Sequence, residues 1–239
     1  MKLEKFVETH EKNLEFLQHE KRAYYTGMRK RFCHVLKLLP PNSPKLKVLD
    51  LGLGQGWLTY FIKKWCNCKV YGLDICPLRR RHLEEERIQV KKCDVEKERI
   101  PFEDGFFDFV VCAEVLEHLS SPSHALDEIK RVMRRGGTLI LTTPNAKRLA
   151  VRLKSYVGRM GGKSFATFFE KILPPSQQHE KEYTMEELKH LLGHHGFRIK
   201  RAFYVNFTSP FSILASIYLV ATSFFPAFRE DLVIEAQVV

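Results

Sequence analysis

Glu114, Glu117 and His118 stand at i, i+3, i+4 spacing, so a helix would present two carboxylates and an imidazole on one face. Such a set can take a proton from a hydroxyl or hold a divalent cation against it. A second imidazole, His179 in the run His179-Glu180-Lys181-Glu182-Tyr183, is expected from the loop before a later helix. A separate group of residues has the pattern of a nucleotide cradle. Val48-Leu49-Asp50-Leu51 opens into Gly52-Leu53-Gly54-Gln55-Gly56, and Val70-Tyr71-Gly72-Leu73 ends in Asp74. Glycine at alternate positions lets the backbone turn sharply and approach a ligand closely. The helix expected from Trp57 aims its free amides and positive dipole end at the same place. Asp74, about twenty residues on, can accept both hydroxyls of a ribose.

These residues need a frame that brings strand ends together. Alternating segments supply one: strand 46–51, helix 57–66, strand 69–74, helix 79–87, strand 89–93, strand 107–113, helix 122–134 and strand 137–143. Pro122 suits the start of its helix and Gly136-Gly137 its stop. Thr184-Met185-Glu186-Glu187 is a capping box for a helix to about His194, followed by strands 197–206 and 231–239. The fold class expected is α/β. It has a Rossmann-like, seven-stranded, mostly parallel sheet with an antiparallel last strand and helices on both faces. An N-terminal helical cap over residues 1–41, ended by Pro40-Pro41, precedes the main domain at 42–239. That domain carries insertions at about 146–180 and 207–228.

At 239 residues, one such domain with elaborations fits, and two full domains would be cramped. Charges run through Met1 to Glu8, where a signal peptide needs an apolar stretch, so a cytoplasmic location is expected. The six cysteines are scattered, with one Cys66-x-Cys68 pair, which is neither a zinc framework nor a disulfide pattern. The net charge of +11 implies an anionic partner. Six cations and no acid fall between Ala146 and Phe169.

Taken in order, the motifs resemble those of class I S-adenosylmethionine-dependent methyltransferases of the ubiquinone-pathway O-methyltransferase type. They are Val48 to Gly56, Val70 to Asp74, Cys93-Asp94-Val95, Ile100 to Phe109, Ala113-Glu114-Val115-Leu116-Glu117-His118-Leu119, and Arg135-Gly136-Gly137 through Thr143-Pro144-Asn145. Dehydrogenases share the glycine turn and the ribose acid but not the Asp94, Pro-Phe-x-Asp-Gly and Glu-x-Leu-Glu-His segments. One departure is Arg135, where relatives usually have proline before the glycines. The resemblance implies S-adenosylmethionine as cofactor and S-adenosylhomocysteine as product. Asp50 would receive the ammonium group, directly or through water. Gly52, Gly54 and Gly56 would give backbone access, Asp74 would take the ribose, and Ile75 would pack on the adenine. Asp94 and the Val95 amide would read the adenine edge, and Ala113 and Glu114 would close the methionine side. Glu117, His118 and His179 are the catalytic residues expected, without a metal. Relatives that hold a divalent metal on two Glu and two His make Glu114, Glu117, His118 and His179 the alternative ligand set.

Two segments fall on the acceptor side. Residues 146–160 read as a basic amphipathic helix, and the uncharged stretch from Ala202 to Phe228 is as long as a membrane span. The flanking strands 197–206 and 231–239 must join one sheet, so the stretch is expected to fold back as an apolar helical insert. Both segments point to a small-molecule or lipid-linked acceptor, with peripheral membrane contact through 146–160 and 207–228, or to contact with another subunit. The function expected is methyl transfer to a hydroxyl of a lipid, isoprenoid or glycan-like molecule. RNA ribose methylation is one alternative, and a non-catalytic cofactor-binding protein is another.

Overall fold

The computed structural model describes residues 3–11, 22–77, 80–148, 179–206 and 213–239, with the backbone alone for 22–27, 80 and 213–218. Two helices come first, α1 (Leu3–Glu11) and α2 (Arg22–Lys37). Then follow β1 (Lys47–Leu51), α3 (Trp57–Cys66), β2 (Lys69–Asp74), α4 (Arg80–Glu85), β3 (Gln89–Lys92) and β4 (Phe107–Ala113). After a 3-10 turn at Leu116–His118 come α5 (Pro122–Val132), β5 (Met133–Pro144), α6 (Met185–His194), β6 (Phe197–Val205), α7 (Ile213–Phe224) and β7 (Asp231–Val238).

The strands form one seven-stranded sheet in the order β3-β2-β1-β4-β5-β7-β6. β7 runs against both its neighbours and the remaining pairs are parallel, as the alternating pattern predicts. Alternate residues of each strand point to opposite faces. Val48, Val70, Val111, Ile140 and Val233 therefore pack with Phe32, Val35 and Leu36 of α2 and with Phe61 and Ile62 of α3. Leu49, Leu73, Val110, Leu139 and Ile234 pack on the other face, with Leu126 and Ile129 of α5 and Leu188 and Leu192 of α6. The N-terminal helices thus share a core with the sheet. Deleting a side chain such as Leu36, which is fully buried, costs on the order of 2–5 kcal/mol.

The chain leaves β1 toward β2 on one side, while β4 lies on the other. A crevice therefore opens beyond the carboxyl ends of β1 and β4, where this sheet type binds ligands. Residues 52–56 and 114–118 occupy that end.

Three boundaries differ from expectation. α5 stops at Val132 instead of continuing to the glycine pair, and β5 is already extended from Met133. Met133 is buried and pairs with Phe107, while Arg134 donates to Asp108 at 2.7 Å, so tertiary contacts claim these residues from the helix. The glycines then serve a bulge in the strand. Gly136 has φ +72°, and a Cβ on Gly137 would lie 2.8 Å from the Arg134 carbonyl. α4 is shorter than the expected 79–87, spanning Arg80–Glu85. The apolar insert forms a helix of 12 residues, about 18 Å long. Among the described residues no helix is long and apolar enough to cross a membrane. The expected basic helix at 146–160 lies outside the described residues beyond Arg148, as do residues 207–212 of the apolar insert.

Candidate active site

The glycine turn is held by backbone. Gly52 N and Leu53 N both donate to the Leu73 carbonyl, at 2.8 and 3.2 Å, which ties the loop to the end of β2. Gly52 and Gly54 have φ of +76° and +51°, the left-handed region open mainly to glycine. They serve different ends. A Cβ on Gly52 would fall on Val115 Cγ2, so this position is required by the packing of the turn after β4. A Cβ on Gly54 would meet no described residue within 4 Å, so here the turn borders open space. Gly56 resembles Gly52, because its Cβ would crowd Leu83 at 2.9 Å.

Asp74 accepts from Gly54 N and Cys76 N, each at 2.8 Å and each through a different carboxylate oxygen. The second lone pair of each oxygen remains for a hydroxyl. Ile75 beside it is 59 % exposed, an apolar face suited to a planar ring. Asp50 is buried under the turn and accepts from Thr59 Oγ1 at 2.6 Å. Burial pushes its carboxyl up to about 7, against the Thr59 bond, and the charge of Asp74 adds to the shift. Asp94 accepts from Glu96 N at 3.1 Å and faces Lys97 at 3.6 Å, while Val95 is buried beside it.

The segment after β4 departs from the expected helical face. Glu114 takes a left-handed φ of +58°, and only Leu116–His118 form a 3-10 turn. Glu114 is therefore directed away from His118. It pairs with Arg31 at 3.0 Å and accepts from Thr142 Oγ1 at 2.9 Å. Arg31 also binds Asp231 at 2.6 Å. With one guanidinium facing both the half-buried Glu114 and the buried Asp231, desolvation pushes each carboxyl up to about 7. Glu114 thus drops out of the expected four-ligand set.

Glu117, His118 and His179 do come together, with one potential ligand atom from each lying within 4.8 Å of the others. The two imidazole centroids are 5.2 Å apart. Glu117 is fully buried; its Oε2 accepts from Thr143 Oγ1 at 2.9 Å, and its Oε1 has no hydrogen-bond partner among the described residues. Burial raises its carboxyl to about 7. The loop carrying His179 is stapled to the same turn, because Glu180 N and Lys181 N donate to the Glu117 carbonyl at 2.9 and 3.1 Å. His179 Nδ1 lies 3.0 Å from Glu182 Oε1, and Arg148 grips Glu182 with two bonds of 2.6 and 2.7 Å. Burial of Glu182 is outweighed by these bonds from Arg148 and His179, which hold its carboxyl below the usual range. An ionised Glu182 can only accept, so Nδ1 donates to it and the Nε2 lone pair is available.

Several of these partners escaped the sequence reading. Arg31, Asp231 and Thr142 carry no local signal. Arg148 was counted within a basic face, yet it is committed to Glu182. Asn145 is buried and donates to the Ala227 and Arg229 carbonyls, tying the end of β5 to the approach to β7. Its place in the Thr143-Pro144-Asn145 motif was the available signal.

Residues 49–141 match the model of the methyltransferase domain family. Over 145 residues the chain is 30 % identical to ubiquinone biosynthesis O-methyltransferase of Xanthomonas campestris pv. campestris, covering 59 % of this chain and 57 % of that protein. It therefore spans a little over half the length of that relative. The Acinetobacter baumannii protein of the same name is 28 % identical, covering 62 % of this chain and 67 % of that protein. Among solved structures, a SAM-dependent methyltransferase from Aquifex aeolicus aligns with a TM-score of 0.56 and 21 % identity over 86 % of this chain and 88 % of that one. Geranyl diphosphate methyltransferase in complex with SAM aligns at 0.58 and 16 % identity, over 88 % and 85 % of the two chains. Residues 49–141 are thus similar to the methyltransferase domain family, and the chain shares the fold of solved S-adenosylmethionine-dependent methyltransferases, a class whose cofactor is S-adenosylmethionine. The open space over Gly54 and the remaining acceptor capacity of Asp74 fit its nucleoside.

Proposed function

We propose that this protein is an O-directed methyltransferase acting on a small amphiphilic acceptor, a lipid, isoprenoid or glycan-like molecule. The observation that carries this reading is the convergence of Glu117, His118 and His179 on the turn that begins at the cofactor cradle. S-adenosylmethionine supplies the methyl group. Asp50, Asp74, Asp94 and the backbone from Gly52 to Gly56 hold it, Ile75 and Val95 flank the adenine, and Ala113 and Glu114 line the methionine end. His118 or His179 takes the proton of the acceptor hydroxyl as the new O–CH3 bond replaces the S–CH3 bond. Glu117 orients the pair and offsets the charge of the resulting imidazolium. Its Oε1, without a partner among the described residues, supports a second reading, in which Glu117, His118 and His179 would hold a divalent cation that would lower the pKa of the acceptor hydroxyl.

The amphiphilic acceptor is supported by α7 and the turn after it, where Val220, Phe224 and Phe225 are 59, 75 and 61 % exposed. An apolar tip of this kind suits peripheral contact with a membrane from the cytoplasmic side.

The test is transfer of labelled methyl to lipid, glycan and RNA extracts. Label in an alkali-stable lipid or glycan ether supports the reading, and label confined to ribose overturns it in favour of an RNA acceptor. S-adenosylmethionine binding without transfer to any extract would favour the non-catalytic alternative. Loss of turnover on chelation, restored by a divalent metal, selects the second reading.

A further inference from the structure

We propose that Arg31, delivered by the N-terminal helix α2, is a positioning residue of the cofactor site, so that the cap belongs to the binding machinery. The inference rests on the S-adenosylmethionine reading of the glycine turn and needs no acceptor. Arg31 Nη2 lies 3.0 Å from Glu114 Oε2 and 2.6 Å from Asp231 Oδ2, and its Nε is 3.1 Å from the same Asp231 oxygen. One side chain, 15 % exposed, thereby joins α2 to the end of β4 and the start of β7, across 200 residues of sequence.

The link continues to the cradle. Glu114 holds a left-handed φ of +58°, uncommon for a residue with a Cβ, and its backbone and side chain are fixed together. Its N–H donates to the Thr142 carbonyl at 3.0 Å, its Oε1 accepts from Thr142 Oγ1 at 2.9 Å, and its Oε2 meets Arg31. The next residue, Val115, occupies the space that a Cβ on Gly52 would need. A shift at Glu114 is therefore passed through Val115 directly into the glycine turn. Without the guanidinium, the buried Asp231 and the half-buried Glu114 lose their shared counter-charge, and the backbone at Glu114 has the strongest reason to relax.

The experiment is S-adenosylhomocysteine binding by calorimetry, with thermal melts as the folding control. Arg31→Ala is expected to weaken binding at least tenfold, Arg31→Lys to recover part of that loss, and Glu114→Gln to cost less when added to Arg31→Ala than it does alone. Arg201→Ala, removing an exposed pair with Glu235, should leave binding unchanged and combine additively with Arg31→Ala. A purely structural role would lower the melting temperature without this coupling between positions 31 and 114. Wild-type affinity in folded Arg31→Ala overturns the inference. If Arg31→Ala does not fold, Arg31→Lys and Asp231→Asn decide it, and wild-type affinity in both overturns it. Absence of binding in the wild-type protein would instead overturn the cofactor reading itself.

Discussion

The proposed cofactor half and the proposed acceptor half of this site are built on opposite plans. The cofactor half comes from residues 50–56, 74–76 and 94–95, within three successive strand ends, and much of it is backbone fixed by short loops. The acceptor half gathers Glu117 and His118, Thr143, Arg148, and His179 with Glu182, and depends on side-chain bonds between distant segments. The difference teaches where each half is vulnerable. Geometry protects the first against most substitutions except at its glycines, whereas the second is only as precise as its chain of supporting carboxylates and cations.

The sharpest way to break the comparison is to remove the imidazoles. His118→Ala or His179→Ala is expected to cut methyl transfer by about 10²- to 10⁴-fold while leaving S-adenosylhomocysteine affinity near wild type. Unchanged turnover in both single variants would remove the acceptor half as drawn. Next come the glycines. Gly52→Ala should lose both stability and cofactor binding, and Val115→Ala should partly restore them, since the clash is with Val115. Gly54→Ala should lose stability by only about 1–2 kcal/mol for its left-handed backbone, yet still lose cofactor affinity, read by melting and calorimetry. Equal loss of stability in the two variants would show that the space over Gly54 is not a ligand's.

A smaller effect is expected at Glu182→Gln, which releases Arg148 and weakens the hold on His179. Turnover should fall about 10- to 100-fold with cofactor binding intact. The mildest test is pH. Asp50 is neutral below about 7 in the free protein, and the cofactor's ammonium favours its ionised form. Affinity for S-adenosylhomocysteine should therefore rise with pH toward 7 and level off above it, by at most tenfold per unit. In the free protein the sign reverses. The folded-state pKa of Asp50 lies above the unfolded one, so its contribution to stability is complete below about 4 and is lost as pH rises through 7. Asp50→Asn should reduce the slope of both profiles, with Glu114, Glu117 and Asp231 carrying the remaining pH dependence of stability.

Legibility in the sequence follows the same division. Val48 to Gly56, Asp74 and the Thr184 capping box were readable because each is a local pattern whose hydrogen bonds close within a few residues or between adjacent strands. The seven-stranded sheet followed from alternation, because buried parallel strands need helices on both faces. The helical face expected for Glu114, Glu117 and His118 failed because spacing assumes a regular helix. Here Glu114 is captured by Arg31 and Thr142, and a turn of only three residues remains. The glycine pair at 136–137 has the pattern of a helix stop, but burial of Met133 draws the chain into the sheet before it is reached.

The sequence by itself determined the sheet and the glycine turn and nominated the residues proposed to move a proton, because local backbone preference and hydrophobic period act over short stretches. Only the tertiary structure decided which of those residues meet. Arg31 with Glu114 and Asp231, and Glu117 with His118 and His179, are brought together because buried charges and polar atoms must find partners, and in this fold those partners lie as much as 200 residues away.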